Sequence, residues 1–426
     1  MANLPPVTLT SQEDHRRTLD LLGIDTLRPG RNGLNPDAPD YANYDESKAT
    51  LYPDLPELMV LNNGNTVNSA KSWKKRRAEI VEIFDREIYG RQPATTPSVT
   101  WEIVSQTEGM EADIPVTIQE LVGHLDNSAY PQISVNIEMT LTTPRNVDGP
   151  VPAIVHFTYK WPAGRPRREP PPGPTPLQQV LGKGWAFAEL TPTTAQADNG
   201  AGLTEGVIGL VNKGQPRNLE DWGALRAWGW AASRALDYFE QDPKINAKHV
   251  AIEGMSRYGK AVLVTMAYDT RFAAGFAGSS GAGGASLWRR DIGEIVENVA
   301  SSGEYHWMAG NFMKYAGPLN WDDLPIDAHE LIALSAPRAL FVGSGLDTSG
   351  DAWVDAKGMY LATLAANPAY EVLGAKGIKG GDFPPAETSL TDGELAFRQH
   401  AGGHTNGPNW EYFLEYADPY LDPKDK

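Results

Sequence analysis

The chain contains no cysteine. Disulfides, a thiolate nucleophile and thiolate-bound zinc are therefore excluded. Compartment stays open, because an exported protein can dispense with disulfides. Positive charge is also scarce: 37 Lys and Arg against 54 Asp and Glu leave a net charge of −17. Such a surface repels phosphate backbones and anionic lipid, so neither nucleic acid nor a membrane is expected as a partner. No apolar run reaches the ~20 residues that span a bilayer. There is no internal repeat and no H-E-x-x-H or similar signature, and no metal or cofactor is expected. The opening residues, MANLPPVTLTSQEDHRR, lack a basic-then-apolar export signal. Either the protein is cytosolic or a leader has been removed. The initial Met-Ala favours the second, and the expected location is secreted or periplasmic.

What is present is a globular composition, 426 residues with 41% apolar and 21% charged, long enough for a large core. Residues 1–70 are polar and turn-rich and read as an extended arm. Residues 71–90 show helical periodicity, with Ile80, Ile83, Phe84 and Ile88 on one face and Gly90 ending the run. Alternating apolar residues predict strands near 98–106, 114–125 and 132–144. The continuous apolar runs 150–158 and 184–192 suit central strands buried on both faces. A long helix over 221–242, strands over 248–256 and 337–345, and a closing helix over 409–421 follow. This strand–helix rhythm predicts an α/β class domain over 71–426, with the arm packed on it. Seven prolines between 162 and 176 mark a stiff surface insertion at 161–176. It is either a spacer or, through Arg165, Arg167 and Arg168, a basic rim that touches substrate.

The chemistry concentrates at 249–268. A buried strand runs into Gly254-Met255-Ser256-Arg257-Tyr258-Gly259-Lys260, and an apolar helix starts at once. Small residues around a Ser at a strand-to-helix turn describe a nucleophile elbow, with the hydroxyl raised at the sheet's tip before a helix N-terminus. The second glycine lies one position later than in G-x-S-x-G, and a Ser that merely caps the helix is the bland alternative. A serine nucleophile needs a base and an orienting acid, in the chain order Ser, acid, His. The loop after 337–345 holds Asp347, Asp351 and Asp355, and His404 stands among Gly402, Gly403 and Gly407 before the last helix. His400, on the edge of the same loop, is the competing base.

These segments resemble the glucuronoyl esterases, carbohydrate esterase family fifteen, bacterial type. The family's G-C-S-R-x-G-K appears as GMSRYGK, its S-G-A-G-G-x-x-x-W-R as SGAGGASLWR (280–289), and its D-x-W as DAW (351–353). The resemblance covers roughly 70–426. It implies an α/β-hydrolase three-layer sandwich with a mostly parallel sheet. It implies a serine hydrolase that cleaves the ester between a 4-O-methyl-glucuronic acid of xylan and a lignin alcohol. On this resemblance Ser256 is the nucleophile, His404 the base and Arg257 the oxyanion donor. Lys260, Glu304, Trp353 and, less directly, Glu294 contact the sugar. Glucuronoxylan or a lignin–carbohydrate ester is the expected partner, and the chain is expected to act as a monomer.

Two departures bear on the mechanism. Many members place the triad acid as Glu immediately before S-G-A-G-G, where this chain has Ser279. Asp351 is then the expected acid, with Asp347 in reserve or a dyad as the alternative. Met255 replaces the elbow Cys, so a disulfide to the His loop is missing and that loop is expected to be held by packing alone. Two other readings remain open: a serine esterase for acetyl-xylan or small aryl esters, and a non-catalytic carbohydrate-binding relative.

Overall fold

The three alternating segments form an antiparallel meander, β1 (Val99–Glu111), β2 (Ile114–Leu125) and β3 (Asn136–Pro144). In the computed structural model, which describes residues 4–50, 54–159 and 173–422, this meander is one edge of a larger sheet. The sheet continues through β4 (Val151–Phe157), β5 (Ala186–Thr191), β6 (Ile245–Met255), β7 (Ala274–Gly278), β8 (Ala339–Ser344), β9 (Ser389–Leu390) and β10 (Leu395–Gln399). The spatial order is β1-β2-β3-β5-β4-β6-β7-β8-β10-β9. Pairings from β5 through β10 are parallel, and β9 closes the far edge antiparallel. The order reversal of β4 and β5 and the parallel centre are those of the expected α/β-hydrolase sandwich.

Strand periodicity explains the three layers. Ala153, Val155 and Phe157 of β4 enter one core while Ile154 enters another. Likewise Val250 and Ile252 face one way and Ala251 the other, as do Leu340 and Val342 against Phe341. The larger core is roofed by the helix Ala224–Phe239 and by the helix Arg257–Tyr268. The smaller core lies under the helix Trp410–Leu421, whose Trp410 and Phe413 pack on Phe276. Burying residues such as these contributes about 1.5–3 kcal/mol each, and that rigidity fixes the loops at the strands' C-terminal ends.

The arm differs from the extended reading. Residues Ser11–Leu22 form a helix started by a capping box, in which Thr10 and Glu13 exchange side-chain and backbone hydrogen bonds. The helix is polar because few of its side chains meet the core; buried Asp14 accepts from Tyr305 Oη at 2.9 Å. Further along the arm, Arg28 donates to the carbonyls of Tyr315, Gly317 and Leu319. The expected helix at 71–90 is α-helical over Ala70–Ile83 and widens into a π turn over Phe84–Ile88. Gly90, at φ 82°, stops it. Most of the proline-rich stretch, with Arg165, Arg167 and Arg168, lies outside the described residues. Its last residue opens the helix Pro176–Gly182. Among the described residues no helix is long and apolar enough to cross a membrane.

Candidate active site

β6 ends at Met255, and Ser256 adopts φ 60°, ψ −128° before the helix Arg257–Tyr268 begins. A non-glycine residue there costs about 1–3 kcal/mol and persists only where its surroundings enforce it. The enforcement is visible. Ser256 N–H donates to Gly278 O at 2.8 Å. A Cβ on Gly254 would stand 2.7 Å from Tyr258 O, and one on Gly259 would stand 2.5 Å from Gly278 O. The second glycine sits late in the motif because it is position 259 that passes the neighbouring strand. Ser256 makes no side-chain cap to the helix, so the capping alternative fails.

The candidate base and acid arrive from the loops after β10 and β8. His404 Nδ1 and Asp351 Oδ1 are 2.6 Å apart; Asp351 is fully buried, whereas 37% of the His404 side chain is exposed. The other Asp351 oxygen accepts from Ser279 Oγ at 2.7 Å and from Gly345 N–H at 2.6 Å. Ser279, immediately before the SGAGG segment, thus orients this carboxylate. With Nδ1 engaged, Nε2 is the ring nitrogen left for proton transfer. Among the described residues no hydrogen bond joins Ser256 Oγ to His404. Gly278 receives the Ser256 amide on one side. On the other side, Asn406 lies so close that a Cβ on Gly278 would overlap it at 1.8 Å. Catalytic hydrogen bonds in unliganded enzymes are often long and tighten around substrate.

His400 is not the base. Its Nε2 lies 2.7 Å from Thr405 O and its Nδ1 accepts from Gly402 N–H, so both nitrogens serve the loop itself. Burial lowers its pKa, in keeping with a neutral ring that donates from Nε2. The expectation that packing alone holds this loop is corrected by these bonds. Leu346 N–H also donates to Gly402 O, Ser349 Oγ to Ala401 O, and Asn406 to Glu253. Polar staples stand where the disulfide is missing. Asp347 does not touch His404; its side chain is 3.5 Å from Gln399 Nε2. Asp355 pairs with Arg290 at 2.8 Å.

On the opposite side Arg257 is clamped. Its Nη1 lies 2.5 Å from Asp198 Oδ2, and its guanidinium sits 5.2 Å from the Trp307 ring centroid. Asp198 Oδ1 also takes His306 Nε2 at 2.9 Å and Trp307 Nε1 at 2.7 Å. Burial works to raise the Asp198 pKa, yet His306, Arg257 and Trp307 together hold it well below the usual carboxylate range. Asp198 is the member of the site that the sequence reading missed. It lies in a loop after β5 with no motif around it, and only folding brings it to the elbow.

Lys260 is less available than expected. Its Nζ donates to Ser280 O, Ala282 O and Glu294 Oε2 at 2.6–2.7 Å, so all three donors are engaged inside the protein. Glu294 is therefore held as an ion pair, and its N–H donates to Trp353 O. Glu304 differs: its Oε2 is shielded from solvent and has no hydrogen-bond partner among the described residues. Burial, then the nearby Glu294 charge, push its pKa up to about 8. Trp353 is half-buried against Gly33 of the arm. The structure thus gathers Lys260, Glu294, Glu304 and Arg257 around Trp307 and Asp198.

Comparison with known proteins places the chain among carbohydrate esterases. A family model described as "Glucuronyl esterase, fungi" matches residues 215–374. A carbohydrate esterase, MZ0003, from an unknown prokaryotic organism is 30% identical over 89% of this chain and 92% of its own. A 4-O-methyl-glucuronoyl methylesterase of Schizophyllum commune is 27% identical over 75% of this chain and 74% of its own. Among solved structures, a family-fifteen glucuronoyl esterase from Teredinibacter turnerae superposes with a TM-score of 0.90. It shares 43% identity over 96% of this chain and 99% of that one.

Proposed function

The chain belongs to carbohydrate esterase family fifteen, the glucuronoyl esterases, and on that premise we propose that it hydrolyses 4-O-methyl-glucuronoyl esters through an acyl-enzyme on Ser256. The observation that carries this reading is the buried Asp351 bonded to His404 beside a strained serine elbow.

The roles follow from charge. Ser256 Oγ attacks the uronoyl carbonyl while His404 Nε2 takes its proton, and Asp351 stabilises the resulting imidazolium. Ester attack builds an oxyanion. The Arg257 N–H, first in its helix and without an intrahelical acceptor, and the Arg257 guanidinium supply donors in place before reaction. Fixed donors of this kind are worth about 3–4 kcal/mol each. His404 then protonates the departing alcohol, and water reverses the sequence. The substrate ester is neutral, so its sugar is recognised by hydroxyl hydrogen bonds. Glu304, with its unpartnered oxygen, is the group best placed to make them. Lys260 acts through Glu294, or reaches a hydroxyl by exchanging a carbonyl, and Trp353 offers a ring face. The natural ester is a lignin–carbohydrate linkage of glucuronoxylan, met outside the cytoplasm. The site is complete within one chain, which supports action as a monomer.

Hydrolysis of methyl or benzyl glucuronate should exceed that of an acetyl ester, and Ser256→Ala should lower it by at least about 10⁴-fold. Preference for the acetyl ester would instead establish a serine esterase of other specificity. Wild-type turnover by Ser256→Ala would remove the elbow from the mechanism.

A further inference from the structure

A second hydrogen-bonded chain joins the strand of Ser256 to the loop of His404, and it takes no part in the proposed proton transfers. Its centre is Glu253, on β6 three residues before Ser256. The preceding residues, Ala251 and Ile252, enter the two apolar cores. A carboxylate buried beside them is costly unless its oxygens are occupied. Both are. β4 and β6 lie parallel with His156 directly opposite Glu253, and His156 Nδ1 bonds to Glu253 Oε2. The His156 ring stacks on Phe187 at 5.3 Å, with Trp410 beyond. Burial works to lower its pKa, yet the charge and hydrogen bond of Glu253, with Glu189 on the neighbouring strand, raise it. That cation occupies one oxygen and leaves the other for a neutral donor. The donor is Asn406, whose Nδ2 lies 2.5 Å from Oε1 and 3.4 Å from Gly254 O.

Asn406 stands two residues after His404 and is buried. Gly278 admits it, as the overlap with an added Cβ shows. Its carbonyl accepts the Asn409 amide that leads into the closing helix. Of the bonds that tie down the His404 loop, those to Gly402 O and Ala401 O come from the loop of Asp351. The Asn406 bonds end instead on the strand that carries Ser256. The first set fixes the imidazole against its acid, and the second fixes it against its nucleophile. With no cysteine in the chain, no disulfide can do the second task.

Resting on the reading of Ser256 and His404 as nucleophile and base, we infer that Glu253 and Asn406 are positioning residues. Their hydrogen bond, backed by His156, sets the distance between the serine hydroxyl and the imidazole.

Two rates test it: kcat on methyl glucuronate, and labelling of Ser256 by a small fluorophosphonate, which needs no sugar contact. Asn406→Ala should lower both by about ten- to a hundredfold, with KM within about twofold. Glu253→Ala should do the same, and Glu253→Gln, whose amide oxygen can still accept from Asn406, should recover most of the loss. Where alanine prevents folding, Asn406→Asp keeps the shape and sets two carboxylates together. It should lose as much, and adding Glu253→Gln to it, which restores the bond with donor and acceptor exchanged, should regain most of the rate. In a His404→Ala background, Asn406→Ala should slow labelling by less than about twofold more, because it acts through that ring. An equal loss in both backgrounds would make Asn406 a general support of the fold and overturn the inference. Wild-type rates in Asn406→Ala, or a loss confined to KM, would also overturn it. Wild-type protein that is not labelled at Ser256 would instead overturn the functional reading on which it rests.

Discussion

The two sides of Ser256 are built from different materials. On the side of the proposed base, His404 is partly exposed on a glycine-rich loop, and that loop is tied down mostly by neutral backbone bonds from His400, Gly402 and Leu346. On the side of the proposed oxyanion donor, Arg257 is fixed by Asp198, which His306 and Trp307 secure in turn, with the Lys260–Glu294 pair nearby. A base must take and return a proton, so a ring with one nitrogen anchored and the other open serves it. An oxyanion donor must not reorganise as charge develops, and a partly buried charged network enforces that. The contrast teaches that reach belongs to the base and preorganisation to the cation.

The largest expected effect cuts the base side. Asp351→Asn should lower kcat/KM on methyl glucuronate by about three orders of magnitude, because an amide cannot stabilise the imidazolium. A loss under about tenfold would reduce the triad to a dyad. Next, Asp198→Asn should release Arg257 and lower kcat by about ten- to a hundredfold with KM little changed. A change in KM alone would make Arg257 a ground-state contact. Smallest is a pH effect on stability that separates the two carboxylates of the oxyanion side. Glu304 has a raised pKa, about 8. Its stability contribution is full below pH 4.5, its ordinary value, and is lost as pH rises through 8. Asp198, held low, contributes above the ordinary carboxylate range and loses that contribution only as pH falls below it. Thermal melts should show Glu304→Gln losing less Tm than wild type between pH 5 and pH 9, by about a few degrees. Identical pH profiles would mean that Glu304 is ionised throughout.

Much of this was legible before folding. The apolar runs of β4 and β6 betray strands covered on both faces, and GMSRYGK betrays the elbow, because both signals are local. The arm helix announces itself only by the Thr10–Glu13 capping box, since its buried face includes Asp14 and Thr18 rather than an apolar stripe. Asp198 carries no local signal at all. Nor could the sequence show that the Lys260 donors turn inward, because two of their acceptors are backbone carbonyls of Ser280 and Ala282 that only the fold presents. Ser279 in sequence looks like a missing acid, and in the fold it is the hydroxyl that orients Asp351.

The central claim is that Ser256 is the nucleophile and His404 its base, although among the described residues no hydrogen bond joins them. Peptide mapping after reaction with a fluorophosphonate measures this directly. The account predicts a single adduct on Ser256, formed at least about a hundredfold more slowly in His404→Ala. An adduct on another residue, or wild-type labelling of Ser256 in His404→Ala, would contradict it.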